Sequence, residues 1–169
     1  MIGRVCSRSR LLKPFKGFGS SVNRLYLFAG QGTQEKGMLD ALKESYGKEV
    51  SRYSKEVGLD FMEMTSSDSA NQINKTWVAQ PLIVLSQWLH FKHNKYSLNQ
   101  NDVLIGHSVG EYTALVLANC IDILTALKLV KLRGELIASH TKEESGMLVV
   151  VARKADLPTI NELVELYQT

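Results

Sequence analysis

The chain has 169 residues, 44% of them hydrophobic and 22% charged, which gives room for about one domain with an apolar core. No stretch approaches the roughly 18 uninterrupted apolar residues that a membrane-spanning helix needs, so no transmembrane segment is predicted. The formal net charge is +3, but its placement argues against nucleic acid as a partner, because a basic binding face would have to persist in the folded part.

That placement is lopsided. Residues 1–24 hold six cations (Arg4, Arg8, Arg10, Lys13, Lys16 and Arg24) and no acid, so residues 25–169 carry a net −3 once those six are set aside. An Arg-rich, acid-free, Ser-containing start reads as a mitochondrial transit peptide, with a disordered basic tail as the alternative. Ile2, Val5 and Cys6 fall on one helical face, Arg4 and Arg8 on another. The leader is therefore assigned to residues 1–24 and the protein to the mitochondrial matrix. The two cysteines, Cys6 and Cys120, form no disulfide framework and no metal-binding spacing. A reduced compartment and no structural metal are expected, with Cys120 in the core.

Leu25–Phe28 is a short apolar run that ends in Ala29-Gly30-Gln31-Gly32, the pattern of a buried strand and a tight turn. A dinucleotide fingerprint would require glycine at position 35, where Glu35 stands. No phosphate-cradling P-loop pattern occurs either. The glycines instead suit a turn whose backbone approaches a ligand closely, and Gln31 between them can donate its amide to a carbonyl oxygen. Helical spacing runs from Leu39 to about Val57, and the polar residues 65–76 read as a loop. An apolar-rich helix is predicted from Pro81 to about His93, with Pro81 in its first turn. Val103-Leu104-Ile105 reads as a second buried strand, followed by helices from about Val109 to Asn119 and from about Asp122 to Ser139, the latter capped by Asp122. After Gly146, Met147–Ala152 is predicted as a strand and Leu157–Tyr167 as a helix. The alternation of strands and helices indicates an α/β domain with a parallel sheet.

Gly106-His107-Ser108-Val109-Gly110 matches G-x-S-x-G, in which a serine sits on a sharp strand-to-helix turn with its hydroxyl exposed. The helix that follows aims its N-terminal amides at charge developing near Ser108, and the amide of Val109 is the natural oxyanion donor. The bland alternative is a glycine-rich turn with a buried serine.

Four segments in order, Phe28-Ala-Gly-Gln-Gly-Thr-Gln34, Ala79-Gln-Pro-Leu-Ile83, Gly106-His-Ser-Val-Gly-Glu-Tyr112 and Arg133-Gly134, resemble the acyltransferase family that loads malonyl groups onto acyl carrier protein. The resemblance covers about residues 25–169. It implies an acyltransferase fold: a parallel-sheet, α/β-hydrolase-like large subdomain, present here as residues 25–145, and the start of a small ferredoxin-like subdomain at 146–169. It implies that Ser108 accepts the acyl group as an ester, and that Gln31 and the Val109 backbone form the oxyanion and substrate-positioning region. Arg133 would pair with the free carboxylate of malonate, for which a planar guanidinium is suited. Gln80 matches a glutamine near the active site, although it also suits a helix cap, and His107 would lie close by in a structural role. His90, His93 and His140 are expected on solvated faces. The substrates would be malonyl-CoA and phosphopantetheinylated acyl carrier protein, with no metal or redox cofactor, in mitochondrial fatty-acid synthesis.

The histidine that serves as general base in this family lies beyond position 169. The chain is therefore expected to be about half of the family length and to have little or no transferase activity alone. Two other readings stay open: a serine esterase or hydrolase using the same elbow, and a non-catalytic fragment.

Overall fold

The computed structural model describes residues 24–66 and 72–140. The leader up to residue 23, the strand and helix expected after Gly146 and the small subdomain at 146–169 lie outside the described residues. Strand β1 (Leu25–Phe28) is followed by a 3-10 turn (Asp40–Leu42), α1 (Lys43–Val57), the short α2 (Phe61–Met64) and α3 (Thr76–His93). Then come β2 (Val103–Gly106), α4 (Gly110–Leu117) and α5 (Ile123–His140). The strands pair in parallel, with Leu25 opposite Val103 and Phe28 opposite Gly106. This is the mixed α/β arrangement expected from the alternating elements.

Helix α3 is the centre of the body. Val78 through Ser86 are all buried, and so is Leu89. A helix that is apolar on nearly every side is stable only when surrounded, and α3 packs against both α4 and α5. By contrast α1 buries one stripe, Val50, Tyr53 and Val57, at the spacing of one helical face. It stops at Gly58, whose φ of 71° is the left-handed cap that glycine adopts without penalty.

Three expectations need correction. Helix α3 begins at Thr76, five residues before Pro81, which sits inside it. An interior proline costs a helix about 3 kcal/mol, but burial of Val78, Ala79 and Gln80 holds the earlier turn in place. Strand β1 is not buried throughout: Leu25 is 47% and Leu27 70% exposed. Apolar composition alone does not distinguish a covered face from a bare one, and among the described residues the sheet has two strands. Cys120 is half-buried after α4 rather than in the core. The three histidines outside the elbow are exposed as expected. Asp122 accepts from the Thr125 amide at 2.9 Å, the cap anticipated for α5. Among the described residues, no helix is long and apolar enough to cross a membrane.

Arg24, placed in the leader by composition, is tied to the body. Its guanidinium donates to the buried Asp102 carboxylate at 2.8 Å and to the Ser97 carbonyl at 2.6 Å. The Asn99 amide also donates to Asp102, at 2.8 Å. That backbone bond, with the Arg24 guanidinium second, holds the Asp102 carboxyl below the ordinary carboxylate range. A depressed carboxyl contributes stability above its unfolded value of about 4 and loses it as pH falls through the lower folded value. Asp102→Asn should therefore lower the melting temperature at pH 7, and the gap should close on acidification below about pH 4. Thermal melts across pH check this; a gap that is constant with pH would refute it.

Candidate active site

Strand β2 delivers the chain into the elbow. A Cβ on Gly106 would run into the backbone of Gly110 and Glu111, and one on Gly110 would lie 2.7 Å from the Ala29 carbonyl oxygen and closer still to that of Phe28. Both glycines of the G-x-S-x-G pattern are thus required by backbone packed against backbone, which lets α4 start directly over the end of β1. Ser108 between them is exposed, with φ at 52°, in the left-handed region. Few non-glycine residues occupy that region, and they concentrate where a surrounding structure imposes it.

The ladder continues one residue past the strands, because the His107 amide donates to the Phe28 carbonyl at 2.9 Å. This seats the Gly30 turn against the elbow: a Cβ on Gly30 would come within 2.7 Å of His107 Nδ1. His107 therefore packs over the glycine turn, and it makes no hydrogen bond to Ser108. Among the described residues, the amides of Gln31 and Val109 donate to no acceptor.

Four of the residues singled out from sequence form one hydrogen-bonded chain. Arg133 donates from Nη2 to Ser108 Oγ at 3.2 Å and from Nη1 to Gln80 Oε1 at 2.7 Å. Gln80 Nε2 reaches Gln31 Oε1 at 3.4 Å, and Gln31 Nε2 reaches Thr76 Oγ1 at 3.4 Å. Gln80 is only 1% exposed, so it faces the site rather than capping a helix end. Gly134 makes the arrangement possible: a Cβ there would be 2.6 Å from Trp77 Cα and 2.7 Å from the Thr76 carbonyl oxygen. The backbones of α3 and α5 touch at that point, which brings Arg133 beside Gln80.

Sequence reasoning missed Gln87 and Thr113. Gln87 Nε2 donates to the Ala29 carbonyl at 2.9 Å, and Thr113 Oγ1 donates to Gln87 Oε1 at 2.7 Å. The only signal was spacing: Gln87 follows Gln80 by two helical turns and so shares its face. Among the described residues, no group of three or more His, Cys, Asp or Glu side chains is placed to hold a metal ion.

A nucleophile-like elbow, a free turn amide and a cation at 3.2 Å from the serine hydroxyl accompany a family match that spans most of the chain. The model described as "Acyl transferase domain" matches residues 25–163. The chain belongs to the acyl transferase domain family. Over 130 residues it is 33% identical to the malonyl CoA-acyl carrier protein transacylase of Haemophilus influenzae, covering 74% of this chain and 42% of the relative. An acyl carrier protein S-malonyltransferase structure from Vibrio cholerae is 35% identical with a TM-score of 0.59, over 70% of this chain and 40% of that one. A type II polyketide acyl-carrier protein in complex with its malonyl-transacylase, PlMCAT:AntF, matches at 28% identity and a TM-score of 0.65, over 82% and 47%. These neighbours carry the acyltransferase fold that the resemblance implied. The chain spans about two fifths of the length of the curated relatives it matches.

Proposed function

We propose that this acyl transferase chain supplies the acyl-accepting half of a malonyl-CoA:acyl-carrier-protein transacylase. Ser108 Oγ attacks the thioester carbonyl of malonyl-CoA, a C–O bond forms as the C–S bond breaks, and coenzyme A leaves with the serine proton as its thiol. The phosphopantetheine thiol of acyl carrier protein then attacks the ester, takes the malonyl group and returns the proton to Ser108. The negative charge on the carbonyl oxygen during each attack is received by the free amides of Gln31 and Val109.

The observation that carries the reading is the guanidinium of Arg133 at 3.2 Å from Ser108 Oγ. Malonate has one methylene between its carboxylate and its thioester carbonyl, so a cation that binds the carboxylate must lie beside the nucleophile. Gln80 holds that cation from behind. An esterase needs no such charge, which disfavours the hydrolase reading. Acyl carrier protein as acceptor is supported by the solved complex of a related transacylase with its carrier.

Among the described residues no histidine hydrogen-bonds to Ser108. We place the general base in a histidine downstream of Arg133, as the resemblance implies. We also propose the large subdomain at 25–145, the start of the small one at 146–169, a leader ending near residue 24, and a mitochondrial role in fatty-acid synthesis.

Incubation with malonyl-CoA followed by intact-protein mass measurement tests the reading. A malonyl adduct is expected on the wild-type chain and none on Ser108→Ala. An adduct that survives in Ser108→Ala, or faster cleavage of a neutral ester than formation of the adduct, would overturn it.

A further inference from the structure

We propose that Gln87, which the acyl-transfer chemistry above does not use, is a positioning residue that sets the direction of the Gln31 amide by gripping the turn behind it. The proposal rests on reading residues 29–32 and the start of α4 as the oxyanion region. A peptide group is planar, so its carbonyl and the following N–H point in opposite directions. Gln87 Nε2 holds the Ala29 carbonyl at 2.9 Å, which fixes the plane that contains the Gly30 N–H. Thr33 Oγ1 holds the next carbonyl, Gly30, at 3.0 Å, which fixes the plane that contains the Gln31 N–H. Two successive peptide planes are pinned, and the second carries the donor amide.

The grip is itself braced. Thr113, fully buried in α4, donates to Gln87 Oε1 at 2.7 Å. An amide side chain whose oxygen is engaged presents its NH2 in one direction only. Gln87 therefore transmits the position of α4, whose N-cap residue Val109 contributes one amide, to the turn that contributes the Gln31 amide. The two oxyanion donors lie on segments about 78 residues apart in sequence, and this single side chain spans them. Gln80, two turns earlier on α3, holds the side chain of the same Gln31, so α3 grips the turn at two points.

Two near-isosteric variants separate this role from packing. Gln87→Leu removes both hydrogen bonds. Gln87→Glu keeps an acceptor for Thr113 and removes only the donor to Ala29. The full chain is compared by hydrogen exchange of the peptide containing residues 28–34 and by the rate of malonyl adduct formation on Ser108. Both variants should exchange faster at the Gly32 amide of that peptide, which donates to Gln34 Oε1 at 2.8 Å, by about three- to tenfold, the worth of one ordinary hydrogen bond, with exchange in α1 unchanged. Both should lower the maximal acylation rate and leave the half-saturating malonyl-CoA concentration in place, since an oxyanion donor acts in the transition state. Wild-type exchange in Gln87→Glu would overturn the proposal, as would a change in half-saturation alone. If the wild-type chain forms no adduct, the acyl-transfer reading fails while exchange still decides the role of Gln87.

Discussion

Arg133→Ala should slow malonyl loading of Ser108 by about 100-fold or more, and should erase the preference for malonyl-CoA over acetyl-CoA. Truncating one member of a desolvated guanidinium–carboxylate pair commonly costs about 2–5 kcal/mol, and about 1.4 kcal/mol is a factor of ten. Acetyl groups have no carboxylate, so their loading should change little or improve. Arg133→Lys should recover only part of the loss, because an ammonium keeps the charge but not the planar fork. A second cost falls on the fold. Gln80 Oε1 loses its donor at 2.7 Å in a residue that is nearly inaccessible to water, and an orphaned buried acceptor costs about 1–3 kcal/mol. Competition between the two thioesters, read as the mass of the adduct, measures the selectivity. Unchanged malonyl preference in a folded Arg133→Ala protein would remove Arg133 from the substrate site.

Gly110→Ala should be strongly destabilising, because the elbow has no room for a methyl group there. The new carbon would meet the carbonyl oxygens of Phe28 and Ala29, backbone atoms of a strand end that cannot rotate away. Overpacking of this kind costs about 1–3 kcal/mol and occasionally more, against a total stability of about 5–15 kcal/mol. A fall in melting temperature of about 10 °C is expected. Gly47→Ala is the control. It lies inside α1 with nothing within 4 Å of the added carbon, so helix propensity alone acts and should raise stability by up to about 1 kcal/mol. Melts of both variants check the contrast; equal melting temperatures would mean that the elbow relaxes freely around Gly110.

The elbow was legible in sequence because its chemistry is local: an apolar run, two glycines around a serine, then helical spacing. The helices were legible from periodicity and from Asp122, whose carboxylate caps α5 as read. Pro81 misled, since proline marks a first turn only when the residues before it lack a reason to be helical. Here Val78 and Ala79 are buried against neighbouring elements. The exposure of Leu27 was illegible because four apolar residues look alike whether one face or both are covered. Gln80 and Arg133 stand 53 positions apart and meet across two helices. No local pattern encodes that meeting, and only the resemblance brought them together before the fold did. Gly134 carried no conformational signal; its role as the contact point of α3 and α5 exists only in three dimensions. Gln87 looked like any other helix glutamine.

Ser108 has φ at 52°, a conformation that costs a residue with a side chain about 1–2 kcal/mol. Glycine would occupy it without that cost. Heat tolerance and chemistry therefore pull in opposite directions at a single codon. A library of variants of this chain sorted only for survival at high temperature will enrich glycine at position 108, which on the proposed reading removes the acyl-accepting hydroxyl, so a stabilisation campaign built on that reading must hold this position fixed from the outset.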